Sequence, residues 1–140
     1  MKEHTQMLDQ NNLKDMFARV RPIGLVVTLG ALIIIYGAAA FMKLTGNAAM
    51  AERLSEAGFG GSWPLFIGAT ELAGTVALFI PQLRRLALLC LWPYAVGGLA
   101  VHMSYGHERL YPGIIASLLV PLCLWLDGGL IFSRRSSRKS

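Results

Sequence analysis

The chain is expected to fold as an all-α integral membrane protein, a four-helix up-down-up-down bundle with short interfacial helices. Hydrophobic residues fill 54% of its 140 positions and charged residues 15%, with a mean hydropathy of +0.51. Ordinary soluble domains carry about 25% charged residues. The apolar residues also come in four blocks, each near the ~20 residues that a helix needs to cross a hydrocarbon core about 30 Å thick. Short connections between the blocks favour antiparallel neighbours, and the length suits one domain.

Pro22–Phe41 carries no charge, Trp63–Pro81 only Glu71, and Leu86–Met103 only His102; Leu110–Phe132 contains Pro121 and Asp127. The four-span domain is therefore placed at 22–132, with spans 22–41, 63–81, 86–103 and 110–132, between a polar segment 1–21 and a basic tail 133–140. Within 1–21, Leu13, Met16, Phe17 and Val20 recur at helical spacing, which predicts a short amphipathic helix on the inner membrane surface. Pro22 then suits the first turn of the first span, where its missing N–H is not needed. Small residues, Ala38-Ala39-Ala40, follow the first apolar run. That run is longer than a signal-peptide core and comes after 21 polar residues, so it is predicted to be a retained helix.

Asn47 is predicted to cap a helix through AAMAERLSEA, and Gly58 with Gly60-Gly61 to end it. Met50 and Leu54 share one face of that helix, as expected for an interfacial helix over the outer mouth of the bundle. Trp63 suits headgroup depth, and Pro64 the first turn of the second span. The stretch Pro81–Arg85 makes a tight hairpin, and SYGHER joins the third and fourth spans. Pro93 and Pro121 are expected to kink their helices. Gly30, Gly37, Gly68, Gly97 and Gly98 are predicted points of close helix approach.

Positively charged loops resist translocation, so Lys and Arg positions give orientation. Lys2, Lys14, Arg19, Arg21, Arg84, Arg85, Arg134, Arg135, Arg138 and Lys139 fall on one side; Lys43, Arg53 and Arg109 fall on the other. Both termini are therefore expected to be cytoplasmic. The net charge of +5 follows from topology and from contact with anionic membrane lipids, and no nucleic acid is implied. Cys90 and Cys123 do not form a C-x-x-C pair and read as buried apolar thiols, with a redox pair between the third and fourth spans as the alternative.

A charge inside a bilayer costs at least about 2.5–3.5 kcal/mol on insertion scales, so Glu71 is expected to face the interior and to have a partner. It lies about 12 Å below Trp63, and His102 lies about 24 Å from Leu86, so both belong to the outer half. Lys43 closes the outer end of the first span. Tyr94, Gly98, His102 and Tyr105 line one face of the third span, and Gly68, Glu71 and Thr75 form a stripe on the second. By depth His102 is the nearer partner for Glu71, and Lys43 reaches only part of the way.

Four readings of this cluster stay open: an ionic lock, a ligand or quinone pocket, a proton relay involving Asp127, and a surface that docks a protein. His107, Glu108 and Arg109 read as a solvated loop. No metal-binding or catalytic motif is present in the sequence. A single histidine near one face does not supply haem ligation.

Four phrases, in order, resemble the DoxX and DoxX-like family of small four-helix membrane proteins. They are GAAAFMKL (Gly37–Leu44), AERLSEAGF (Ala51–Phe59), IGATELAGTVALFIP (Ile67–Pro81) and LAVH (Leu99–His102). The resemblance runs from about Arg21 to Asp127, and Lys43, Glu71 and His102 carry over as family positions. It implies a bacterial inner-membrane protein, with relatives in quinone-linked thiosulfate or quinol oxidation and in membrane complexes answering oxidative stress. The expected role is an accessory or scaffold subunit of such a redox system, bound to a membrane or redox-enzyme partner or to further copies of itself. The alternatives are a small quinone-binding oxidoreductase component with its site at Glu71 and His102, and a proton-coupled transporter.

Overall fold

Glycine and proline positions divide the chain into five helices: α1 (Lys2–Leu44), α2 (Ala48–Glu56), α3 (Trp63–Ala77), α4 (Arg84–Ser104) and α5 (Tyr111–Ser136). The computed structural model describes residues 2–104 and 110–136, with side chains from 15 to 104 and from 110 to 128. Among the described residues there is no strand. Three segments are long and apolar enough to cross a membrane: Asp15–Leu44, Arg84–Ser104 and Tyr111–Gly128.

The expected break before the first span does not occur. The N-terminal segment and that span form one helix of 43 residues, with Pro22 inside it rather than in its first turn. An interior proline removes one helical hydrogen bond. Arg21 offsets that loss by tying the same turn to α5. Its Nε donates to the Leu126 carbonyl at 3.0 Å and its Nη2 to the Trp125 carbonyl at 2.7 Å, while the guanidinium lies 5.1 Å from the Trp125 ring centre.

The second expected span is also corrected, because α3 has 15 residues and stops at Ala77. At 1.5 Å per residue that is roughly 22 Å of helix, short of a hydrocarbon core. Pro81 explains the early end, since a residue before proline is pushed out of helical geometry. Leu78, Phe79 and Ile80 close tighter turns onto Thr75, Val76 and Ala77 instead. Arg84 then donates from Nε to the Leu78 carbonyl at 3.1 Å. Helices α4 and α5 run through Pro93 and Pro121, and α5 extends four residues past the expected Phe132.

Helix α1 packs against α3 and α5, and α4 packs against the same two. Each contact runs antiparallel. Gly37 faces Thr75 while Lys43 meets Glu71; Gly74 faces Leu91 while Thr70 meets Tyr94; Gly113 faces Leu99 while Asp127 meets Arg84. The shared core holds Leu32, Tyr36, Leu88, Leu91, Val120 and Cys123. Ile34, Phe79, Leu118 and Trp125 point outward and are more than 60% exposed. Such an apolar circumference suits lipid rather than water, and the protein is a multi-pass membrane protein.

Close approach occurs at some of the expected glycines and not at others. A Cβ on Gly68 would lie 2.9 Å from the Lys43 Cβ, but Gly30, Gly97 and Gly98 have open space where a Cβ would go. The phase of α4 is the reason. Its core face carries Leu88, Leu91 and Ala95, which turns Gly97 and Gly98 outward. Gly74 does the work expected of them, since a Cβ there would meet the Leu91 side chain at 2.8 Å.

Candidate functional site

Lys43 lies in the last turn of α1, and the chemistry of that helix end fixes its position. Gly46 adopts φ +68°, which favours glycine. Its N–H donates to the Lys43 carbonyl at 3.3 Å, and the Asn47 N–H to the Met42 carbonyl at 3.0 Å. This pair of bonds is the Schellman arrangement, and it satisfies carbonyls that a helix end would leave bare. Asn47 then caps α2 as expected, its Oδ1 accepting from the Met50 N–H at 3.2 Å. At the far end of α2, Gly58 and Phe59 repeat the arrangement by donating to Ser55 and Leu54.

The expected stripe on α3 is present, with Gly68, Glu71 and Thr75 all buried. Gly68 lets the stem of Lys43 lie against the α3 backbone. Glu71 follows one turn later, and Lys43 Nζ donates to its Oε2 at 2.6 Å. Lys43 is 8% exposed and Glu71 4%. The next turn adds a hydroxyl, because Thr75 Oγ1 donates to the Glu71 carbonyl at 2.8 Å. Across the core, Tyr36 donates from its hydroxyl to the Leu91 carbonyl, also at 2.8 Å.

Glu71 is thus paired with Lys43, which corrects the expectation that His102 is its nearer partner. Depths counted from Trp63 on α3 and from Leu86 on α4 do not say how the two helices are set against each other. Thr70 Oγ1 meets the Tyr94 hydroxyl at 2.8 Å, which sets the register of the two helices. His102 comes eight residues after Tyr94, about 12 Å further along α4. That puts it level with the start of α3 rather than with the carboxyl. Lys43 needs no long reach, because Gly68 brings its stem within one turn of Glu71. Tyr94 is half-buried, Gly98 exposed and His102 half-buried; Tyr105 lies outside the described residues, as do His107, Glu108 and Arg109.

A second polar cluster forms where α4 begins. Asp127 is 5% exposed, and its two oxygens accept from Arg84 Nη1 at 3.3 Å and Arg85 Nε at 3.0 Å. Sequence analysis places Asp127 in the fourth block and Arg84 and Arg85 in the preceding hairpin without joining them. Their signal is that Asp127 is the acid of the fourth apolar block and falls on the side where the arginines gather. The side chain of Arg134 lies outside the described residues.

Cys123 is buried as expected, but Cys90 is exposed, which corrects the expectation of two buried thiols; both are free thiols in the structure. Among the described residues no three His, Cys, Asp or Glu side chains gather as a metal site. Along the outer face of α3, Leu44, Ala69, Leu72, Ala73 and Val76 help to line an open groove of about 580 Å³. Its walls are aliphatic, so it offers nothing to orient a polar ligand.

The buried pair can do one thing well, which is to hold two helices together. Each charge has been taken out of water and is stable there only with the other beside it. No curated protein and no solved structure matches the chain. The profile of the DoxX-like family matches residues 27–126, a stretch that contains the lysine, the glutamate and the tight glycine between them. The chain belongs to the DoxX-like family.

Proposed function

We propose that this DoxX-like protein crosses a bacterial inner membrane four times, as an up-down-up-down bundle spanning 22–132 with both termini in the cytoplasm. We propose further that it serves there as an accessory or scaffold subunit of a redox assembly, quinone-linked or answering oxidative stress. The four antiparallel helix contacts and the one-sided arginines support the topology. The redox setting rests on the resemblance of the four sequence phrases. The observation that carries the scaffold reading is the direct 2.6 Å contact between Lys43 and Glu71. A carboxylate already neutralised by its own chain, with both partners buried, is organised for packing rather than for turnover.

Purification of the intact chain in mild detergent tests this reading. The expected result is a defined complex with a membrane oxidoreductase and no quinone reduction by the chain alone. Recovery of only the single chain or its self-oligomer under several mild conditions would overturn it. A second reading places a quinone head group at the half-buried hydroxyls of Thr70 and Tyr94, one residue from Glu71 along α3. Stoichiometric quinone in the pure chain, lost on Glu71→Gln or Tyr94→Phe, would select that reading. Proton transport has less support, because Glu71 and Asp127 are both held by basic side chains.

A further inference from the structure

We propose that the turn Trp125–Asp127 of α5, with Arg21, Arg84 and Arg85 around it, is the headgroup site for an anionic phospholipid. Three guanidinium groups from two other helices converge on three consecutive residues. Arg84 and Arg85 share the carboxylate of Asp127. Among the described residues Arg21 donates to the uncharged carbonyls of Trp125 and Leu126 and lies over the Trp125 ring, with no carboxylate beside it. Within this cluster, among the described residues, the carboxylate of Asp127 is the acidic partner for two of the three guanidinium groups and Arg21 has none. Positive charge in excess of its partners at a membrane boundary attracts anionic headgroups.

The geometry leaves donors for such a group. The Arg85 side chain is 45% exposed and uses Nε on Asp127, so its two terminal amino groups form no hydrogen bond among the described residues. Arg21 likewise keeps Nη1. A guanidinium fork fits two phosphate oxygens at once. Asp127 does not repel the phosphate strongly, because it is buried and both its oxygens are occupied by arginine. It acts as the post that sets Arg84 and Arg85 side by side.

What favours a lipid over a free phosphate is the surface next to the cluster. Trp125, beneath Arg21, is 61% exposed, and its amphipathic ring suits the interface. Leu122 and Leu118, one and two turns away on α5, are 42% and 66% exposed and make a track for an acyl chain. A phosphodiester bound at this turn would lay its tails along that track.

Trp125 reports on the site directly. The full chain is placed in nanodiscs of phosphatidylcholine and phosphatidylglycerol, one lipid brominated at a time, and tryptophan quenching is read, with Trp125→Phe giving the share due to Trp125. Brominated phosphatidylglycerol should quench that share more effectively than brominated phosphatidylcholine. Arg21→Gln and Arg85→Gln should each reduce the preference about fivefold, and Arg85→Lys should keep most of it. Equal quenching of the wild-type chain by the two lipids overturns the proposal without recourse to any variant. Loss of the preference on adding millimolar inorganic phosphate also overturns it, since that would mark a site for a free anion. Raising potassium chloride should weaken the wild-type preference, and indifference to salt counts against the arginines as its source.

Discussion

Gly68 shows how a single hydrogen atom in place of a side chain permits the ion pair. A methyl at that position would stand 2.9 Å from the Lys43 Cβ and 3.3 Å from the Ala40 carbonyl oxygen, and the latter, being backbone, has little freedom to move. Gly68→Ala should therefore separate α1 from α3 and cost about 1–3 kcal/mol, as overpacking does elsewhere. Gly97→Ala is the control, because open space awaits that methyl. It should be neutral or stabilise by up to about 1 kcal/mol. Reversible unfolding in mixed micelles measures both, and equal effects at the two positions would show that the contact at Gly68 is not tight. Sequence reading named Gly68, Glu71 and Thr75 as one stripe, because helical spacing alone puts them on one face. It did not select Lys43 over His102, because the choice depends on how far one helix slides along another, which no local pattern records.

The helices themselves were legible where punctuation is strong and misread where it is ambiguous. Asn47 and Gly58 bracket α2 by the capping chemistry expected of them. Proline is common in a first turn, which predicts a helix start at Pro22, yet the residue lies within α1. The two placements predict different behaviour. Within a continuous helix, Pro22→Ala restores a backbone donor and should stabilise by up to about 3 kcal/mol, with more helical circular dichroism. At the start of a separate helix the change would gain nothing. At the opposite end of α1, Gly46→Ala forces a side chain into left-handed backbone and Asn47→Ala removes the cap of α2; each should cost about 1 kcal/mol in the same unfolding experiment. No loss from Gly46→Ala would mean that the helix end does not position Lys43.

Across the whole molecule, hydropathy was enough to establish a helical membrane protein, and helical spacing placed the buried stripe Gly68, Glu71 and Thr75 on α3 but not the core face of α4, where Leu88, Leu91 and Ala95 are buried and Gly98 is exposed. Hydropathy was not enough to size α3, where Pro81 ends the helix at Ala77 and Arg84 takes up a freed carbonyl. Four crossings put both termini on one side of the membrane, whereas three would separate them. Tags at the two ends should therefore respond alike to a protease added outside sealed, right-side-out vesicles, both being protected, and cleavage of one alone would exclude the four-span topology. The lysine–glutamate contact belongs to this level as well, because it joins α1 to α3 and its loss would be felt by the entire bundle. A double-mutant cycle on unfolding in mixed micelles weighs that contact. Lys43→Met and Glu71→Leu should each cost about 3–5 kcal/mol by stranding a buried charge, while the double variant should recover most of the loss. Single variants as stable as the wild-type chain, or losses that simply add, would mean that the pair does not hold these helices together.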